Sequence, residues 1–248
     1  MVSEEVVRTS LGVIGNIISI TLFLSVVPTF YRIWKKGSVE QYSPIPYLAS
    51  FFNCGLWVLY GMPFVQPHSL LVATTNGAGV VIEFGYLVIF LMYSDPKKRV
   101  RVALIMLLEI LVVGGLILLV LTLVHTTKKR SSIVGSISIA ANVLMYASPL
   151  SVMRLVITTR SVEYMPFLLS LFCFCNGLCW FLYALLPFDP FVAVPNGIGA
   201  VLGILQLILY ATFYKSTKRM LVERKEKAEM GLAEMGSSNM HNGNEANI

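Results

Sequence analysis

Few side chains in this 248-residue chain could do chemistry, and those that could come in pairs. Asn76 and Asn196 sit in apolar runs, each followed directly by a glycine. Trp57 and Trp180 form a second pair, and Asn53 and Asn176 precede them by four residues, one helical turn away on the same face. An amide offers both donors and acceptors, which suits a ligand made of hydroxyl groups. An indole offers a flat apolar ring that can stack on the C–H face of such a ligand. Each type also has a plainer use: membrane asparagines bond helices together, and tryptophans anchor at the membrane interface. Matched pairs in mid-helix favour a binding site over either. Enzyme chemistry is not expected, since no nucleophile–base pair, metal-ligand spacing or phosphate loop stands out, and His68 and His125 fall in connections. No metal or other cofactor is expected.

Such pairs need rigid elements to hold them. The chain is 56% apolar and 13% charged, where a soluble domain carries about 25% charged residues. Hydrocarbon is the expected solvent, so length converts to a number of helices rather than of domains. Seven apolar stretches approach the roughly 20 residues a span requires: residues 10–31, 44–62, 70–92, 102–124, 133–155, 166–186 and 191–214. Helices are expected because backbone groups in lipid must bond internally. Residues 1–9 read as an outer segment, and Glu4 and Glu5 stand where a cleavable signal peptide would be basic. Residues 215–248, rich in Lys, Glu, Gly, Ser and Asn, read as a disordered tail. Cys54, Cys173, Cys175 and Cys179 lie inside apolar stretches and read as packing residues. A net charge of +6 does not imply a nucleic-acid partner, because Lys and Arg form short clusters between apolar runs.

The chain repeats itself. A shift of 123 residues places Ser38-Val39-Glu40 on Ser161-Val162-Glu163, Gly12 on Gly135, Asn53 on Asn176, Trp57 on Trp180 and Tyr60 on Tyr183. A shift of 120 then places Val72-Ala73 on Val192-Ala193 and Asn76-Gly77 on Asn196-Gly197. Chance matches of Leu or Val would not carry Trp, Asn and Ser-Val-Glu in one register. Three helices flip the chain across the membrane, so a second unit needs one extra helix to run parallel to the first. The expected fold is an all-α membrane protein of two parallel three-helix bundles, residues 10–92 and 132–214, with a linker helix and its flanking loops at 93–131. Of the 19 Lys and Arg residues, 15 fall at one end of the helices, which places that end and the C-terminus in the cytoplasm and the N-terminus outside.

The paired Ser-Val-Glu, the run Tyr146-Ala-Ser-Pro-Leu150, the run Ser161-Val-Glu-Tyr-Met-Pro166 and Pro195-Asn-Gly-Ile-Gly199 together resemble the SWEET sugar transporters (the MtN3/saliva family), plant members above all. The resemblance covers all seven helices and leaves out the tail. It implies a uniporter that moves monosaccharides such as glucose by alternating access, without a cofactor, in the plasma membrane or an internal one such as the vacuolar. It also implies a homo-oligomer, with a trimer as one form. Asn76 and Asn196 match the family's central sugar contacts, and Trp57 and Trp180 match positions above and below the sugar. Leu22, Asn53, Met145 and Asn176 match a quartet associated with substrate size, the bulky Leu/Met pair resembling the monosaccharide pattern; plain core packing is an equal reading for those two. Pro46, Pro149 and Pro166 match three of four hinge prolines. The fourth position holds Val26, with Pro28 two residues later.

Four further residues read from type and position alone. Tyr60, Tyr183 and Asp189 could form a hydrogen-bonded outer gate, although a tyrosine at a helix end is commonly an interfacial anchor. Glu83 lies seven residues after Asn76, nearly on the same face. A carboxyl within a membrane is functional by default, so Glu83 motivates an alternative, a proton-coupled carrier of the PQ-loop type. Its mate under the repeat is Gly203, which leaves no symmetric relay. A seven-helix receptor shares the helix count but has no need of a 3+1+3 repeat.

Overall fold

The computed structural model of the protein describes residues 3–40 and 42–245, with side chains as far as residue 230. Its helical segments join into seven rods. The first rod is α1 (Glu4–Leu24) followed by α2 (Val27–Lys36), and α3 (Ile45–Gly61) and α4 (Leu70–Tyr93) complete the first unit. The linker is α5 (Pro96–Leu123). The second unit holds α6 (Thr127–Met145) continued by α7 (Ala147–Thr159), then α8 (Phe167–Tyr183) and α9 (Pro190–Glu245). Five rods are long and apolar enough to cross a membrane. The other two, α3 and α8, have 17 residues each, about 26 Å of helix and the low end of what spans. The expected 3+1+3 arrangement is the one observed.

Packing follows the repeat. In the first unit α4 lies against both α1 and α3; in the second, α9 lies against both α8 and α6. The units meet through α1 on α8 and α3 on α6, while α5 leans on α3 and α4. Gly12 and Gly135 show why the register matters. A Cβ on Gly12 would come within 2.5 Å of Leu71, and one on Gly135 within 2.5 Å of Phe191, the corresponding residue of the other unit. The first and third helices of each unit approach closely through these glycines. Large apolar residues remain exposed along α5, among them Leu104, Leu108 and Leu111, as expected of a surface facing lipid.

Several boundaries differ from the expected ones: the first rod runs on to Lys36, the one expected at 133–155 spans Thr127–Thr159, and three others have a visible cause. The first helix begins at Glu4, so most of the supposed outer segment is helical: Ser3 caps it by accepting from the Val6 N–H, and Glu4 and Glu5 complement the positive end of the dipole. The linker helix begins before residue 102, at Pro96, because Asp95 caps it. The Lys98 backbone N–H donates to the Asp95 carboxylate at 2.9 Å and holds that carboxyl below its usual range. The last helix does not stop at residue 214. Residues 215–230 contain neither Gly nor Pro and are rich in Lys, Glu and Arg, which propagate a helix. Residues 246–248 of the expected tail lie outside the described residues.

Both first rods are broken, and prolines set where. A proline at position i cannot donate to the carbonyl of i−4 and crowds it. Accordingly α6 ends at Met145, four residues before Pro149, and α1 ends at Leu24, four residues before Pro28. Val26 does not abolish the break in the first unit; the break moves along the chain with the proline. Pro46 and Pro166 act differently from the kinks expected of them. Pro46 is the second residue of α3 and Pro166 the N-cap of α8, so both start helices. The connection after each first rod begins with a left-handed residue, Gly37 (φ 69°) in one unit and its mate Arg160 (φ 51°) in the other. The non-glycine carries a strain of roughly 1 kcal/mol.

Candidate functional site

Two cavities adjoin, a smaller one between the units and a larger one lined by the second unit and by Leu22 of the first. One, of about 180 Å³, is walled by Asn53, Trp57 and Asn76 of the first unit and by Met145, Asn176, Trp180 and Asn196 of the second. The other, of about 400 Å³, touches Leu22, Asn176 and Asn196 and runs past Pro149 to Tyr164 and Pro166 at the basic end. Asn142, Asn176 and Asn196 stand in both walls. The structure therefore gathers all eight residues read from the sequence as a binding set.

The two central amides are held alike. Asn76 Nδ2 donates to the Val72 carbonyl and Asn196 Nδ2 to the Val192 carbonyl, each at 2.8 Å and each one turn back on its own helix. Neither bonds to another helix among the described residues, so they are not glue. One N–H and the carbonyl oxygen of each stay available to a ligand.

The indoles are tied across the units. Trp57 Nε1 donates to Asn142 Oδ1 at 3.4 Å, and Trp180 Nε1 to Ser19 Oγ at 3.2 Å. Ser19 and Asn142 are mates under the 123-residue shift. Ser19 also donates to Asn176 Oδ1 at 2.7 Å, which turns the Asn176 amide nitrogen free. Sequence reasoning missed Ser19 and Asn142. Their signal was polarity at matched positions, hidden because the two residues differ. Each tryptophan also meets its neighbouring tyrosine edge-on, Trp57 with Tyr60 at 5.3 Å and Trp180 with Tyr183 at 5.2 Å.

At the opposite end the residues form two ties rather than one cluster of three. Tyr60 donates to the Asp189 carboxylate at 2.8 and 2.9 Å, and Gln66 Nε2 adds a bond at 3.1 Å. Asp189 also accepts from the Phe191 N–H at 3.1 Å and so caps α9. Tyr183 is not part of that group. Its hydroxyl donates to the His68 carbonyl at 3.2 Å, the Arg8 guanidinium lies 4.2 Å over its ring, and Arg8 donates to the same carbonyl. Both tyrosines are fully buried, which does not suit interfacial anchors. Arg8, Gln66 and His68 carry no sequence signal for this role, since two of the ties run through a backbone carbonyl.

Glu83 lines neither cavity. Ser50 donates to its Oε1 at 2.8 Å, and among the described residues Oε2 has no partner. No group of His, Cys, Asp and Glu among the described residues could hold a metal ion. Near the break in the second unit, the Tyr146 hydroxyl donates to the Pro195 carbonyl, next to Asn196.

Comparison with known proteins agrees on one family. The family model described as "Sugar efflux transporter for intercellular exchange" matches the chain twice, over residues 9–98 and 132–218. The chain is 52% identical over 227 residues to the bidirectional sugar transporter SWEET4 of Oryza sativa subsp. japonica, covering 92% of this chain and 88% of that one. It is 54% identical over 224 residues to SWEET7 of Arabidopsis thaliana, covering 90% and 87%. Among solved structures, a eukaryotic SWEET transporter at 3.7 Å resolution superposes with a TM-score of 0.82 at 39% identity, over 86% of this chain and 99% of that one.

Proposed function

This chain belongs to the MtN3/SWEET family of sugar transporters, and from that premise we propose that it is a uniporter carrying monosaccharides such as glucose by alternating access. It is an integral membrane protein whose substrate is a sugar, and it is not an enzyme. The observation that carries the finer reading is the Asn76–Asn196 pair, two amides pinned by the same bond on either side of a small shared cavity. At about 180 Å³ that cavity is below the roughly 300–1,000 Å³ of pockets for drug-sized ligands. Met145 lines it and Leu22 lines the adjoining cavity, and two bulky side chains there favour one sugar ring over two.

Alternating access is supported by the asymmetry of the two ends. Tyr60–Asp189 and Tyr183–His68 shut one end, while the larger cavity reaches the other. The breaks before Pro28 and Pro149, together with the helix starts at Pro46 and Pro166, give each unit places to flex. Uniport is favoured over proton coupling because Glu83 borders neither cavity. A gradient of the sugar itself then drives flow, and binding in the two states should differ little, or the carrier would hold its cargo.

The Lys and Arg distribution orients the basic end and the C-terminus to the cytoplasm. On α5, a Cβ at Gly114 or Gly115 would meet nothing, so a second copy could approach closely there. This supports a homo-oligomer. The test of function is uptake of labelled glucose and sucrose in cells lacking their own hexose carriers, with and without an uncoupler. Uncoupler-insensitive glucose uptake that exceeds sucrose uptake is expected; no sugar uptake from well-expressed protein would overturn the proposal.

A further inference from the structure

At the basic end both units carry the same Ser-Val-Glu connection, but different chemistry fastens it. In the first unit the Val39 N–H donates to the Tyr93 carbonyl at 3.4 Å. That carbonyl is free because α4 ends at Tyr93. In the second unit α9 runs on, its carbonyls are bonded within the helix, and the Val162 N–H finds a side chain in their place. It donates to Thr217 Oγ1 at 2.8 Å, while the Thr217 hydroxyl donates to the Phe213 carbonyl at 2.9 Å. Thr217 is buried. Seven residues further along the same face, Arg224 donates to the Glu163 carboxylate at 3.1 Å. Between these bonds and the membrane, Val162 and Met165 pack with Val156 against Leu209, Tyr210 and Phe213.

The connection held in this way is also the wall of a mouth. Tyr164, Met165 and Pro166 line the 400 Å³ cavity where it reaches the basic end. The connection begins at Arg160, a left-handed non-glycine where the first unit has Gly37. Strain of that kind persists only where surrounding contacts hold it. The apolar contacts of the connection, Leu209, Tyr210 and Phe213, lie within the apolar span of α9, and its polar ones, Thr217 and Arg224, lie in the part that projects beyond it.

We propose that Thr217 and Arg224 form a strap, through which the C-terminal extension of α9 holds the 161–166 connection and sets how far the basic end of the sugar path opens. The proposal rests on the larger cavity being that path. Thr217 touches no sugar; it is a positioning residue. To close the mouth, Tyr164 and Pro166 must move and carry Val162 and Glu163 with them. The α9 extension then has to follow, or both bonds have to break. Anything that seizes or releases the extension biases the opening.

Cys173 supplies a native probe, because it is exposed and lines the same cavity. Labelling with a membrane-impermeant maleimide from the basic side, with Cys173→Ala as control, reads the width of the mouth at equal protein amounts. Thr217→Val keeps the side-chain volume and removes the acceptor; Arg224→Glu turns the ion pair into a repulsion. Several-fold faster labelling of Cys173 is expected in both, with a changed KM for glucose. The double variant Glu163→Arg/Arg224→Glu is expected to return toward the wild-type rate. Wild-type labelling rates in both single variants would overturn the strap. Glucose protection of Cys173 in the wild-type protein tests the path separately. Faster labelling in the variants without any glucose protection keeps the strap and removes the path, whereas protection with unchanged labelling does the reverse.

Discussion

The Tyr60 hydroxyl and the Asp189 carboxylate meet at 2.8 Å across the boundary between the two units, and the same carboxylate caps α9 by accepting from Phe191. Latch and helix cap are therefore one group, and substitutions can separate them. Tyr60→Phe removes only the latch. A hydrogen bond to a charged group contributes roughly 1.5–3 kcal/mol, so its loss favours the state open at this end by roughly tenfold or more. A cysteine placed by Val72→Cys in the cavity wall reports the change. Labelling of that cysteine from the non-basic side is expected to rise in the Tyr60→Phe background, and an unchanged rate would count against the latch. Asp189→Ala removes the cap as well and should also lower thermal stability, by about 1 kcal/mol.

Asn76→Ala and Asn196→Ala each remove an amide that is already oriented toward the cavity by its own helix. Each should lower glucose uptake by tenfold or more at normal surface expression, because the sugar loses both the donor and the acceptor that the amide offers, roughly 0.5–1.5 kcal/mol for each bond. Trp180→Phe keeps an aromatic ring but loses the N–H to Ser19 and the part of the indole that packs on Gly15. The bond alone contributes about 1 kcal/mol, so a KM raised by at least a few-fold is expected with an unchanged Vmax. Kinetics of the three variants side by side would separate contact with the sugar from support of the wall; equal losses in all three would sink the distinction.

The position of the breaks predicts an asymmetric response to proline changes. Pro28→Ala restores the donor to the Leu24 carbonyl, and Pro149→Ala restores the donor to the Met145 carbonyl. Each should straighten its rod and cut transport while leaving expression intact. In Val26→Pro the Leu22 carbonyl keeps its bonds from the Ser25 N–H and hydroxyl, so this change is expected to leave stability near the wild-type level without replacing Pro28. Full transport in Pro149→Ala, measured at equal surface levels, would remove the hinge.

What the sequence disclosed, and what it hid, follows from where identity is preserved between the units. Trp57 and Trp180, Asn76 and Asn196, and the two Ser-Val-Glu runs are identical at matched positions, so the repeat and the centre of the site were legible from them. Ser19 and Asn142 do the same work in each unit with different side chains, and no identity marks them. The ties of Arg8 and Tyr183 end on the His68 carbonyl, a backbone group with no sequence signature. Helix ends were misplaced where charged residues continue a helix beyond the apolar core, as at Glu4 and after Tyr214, because a hydropathy window sees only the part that lipid covers. The displaced break before Pro28 was hidden for a related reason. Matching Val26 to a proline position follows the register of the repeat, whereas the carbonyl that loses its donor is set by where the proline stands.

Glu83 gives the sharpest test between uniport and proton coupling. A coupled carrier needs its carboxyl to sense the substrate, yet Glu83 borders neither cavity and reaches the site through Ser50, whose hydroxyl donates to it at 2.8 Å. Ser50 itself lines the smaller cavity. In Glu83→Gln the amide oxygen can still accept from Ser50, so the wall keeps its shape while the group that could carry a proton is gone. Glucose uptake in this variant is expected to match the wild type, and an uncoupler is expected to leave both unaffected. Glu83→Leu differs, because it removes the acceptor of the half-buried Ser50 hydroxyl in the cavity wall; loss of that bond, about 1 kcal/mol, should lower stability and distort the site. If Glu83→Gln abolished uptake at normal expression and the uncoupler collapsed wild-type uptake, the carrier would be driven by protons. The helices that place Asn76 and Asn196 would then serve a different transport cycle.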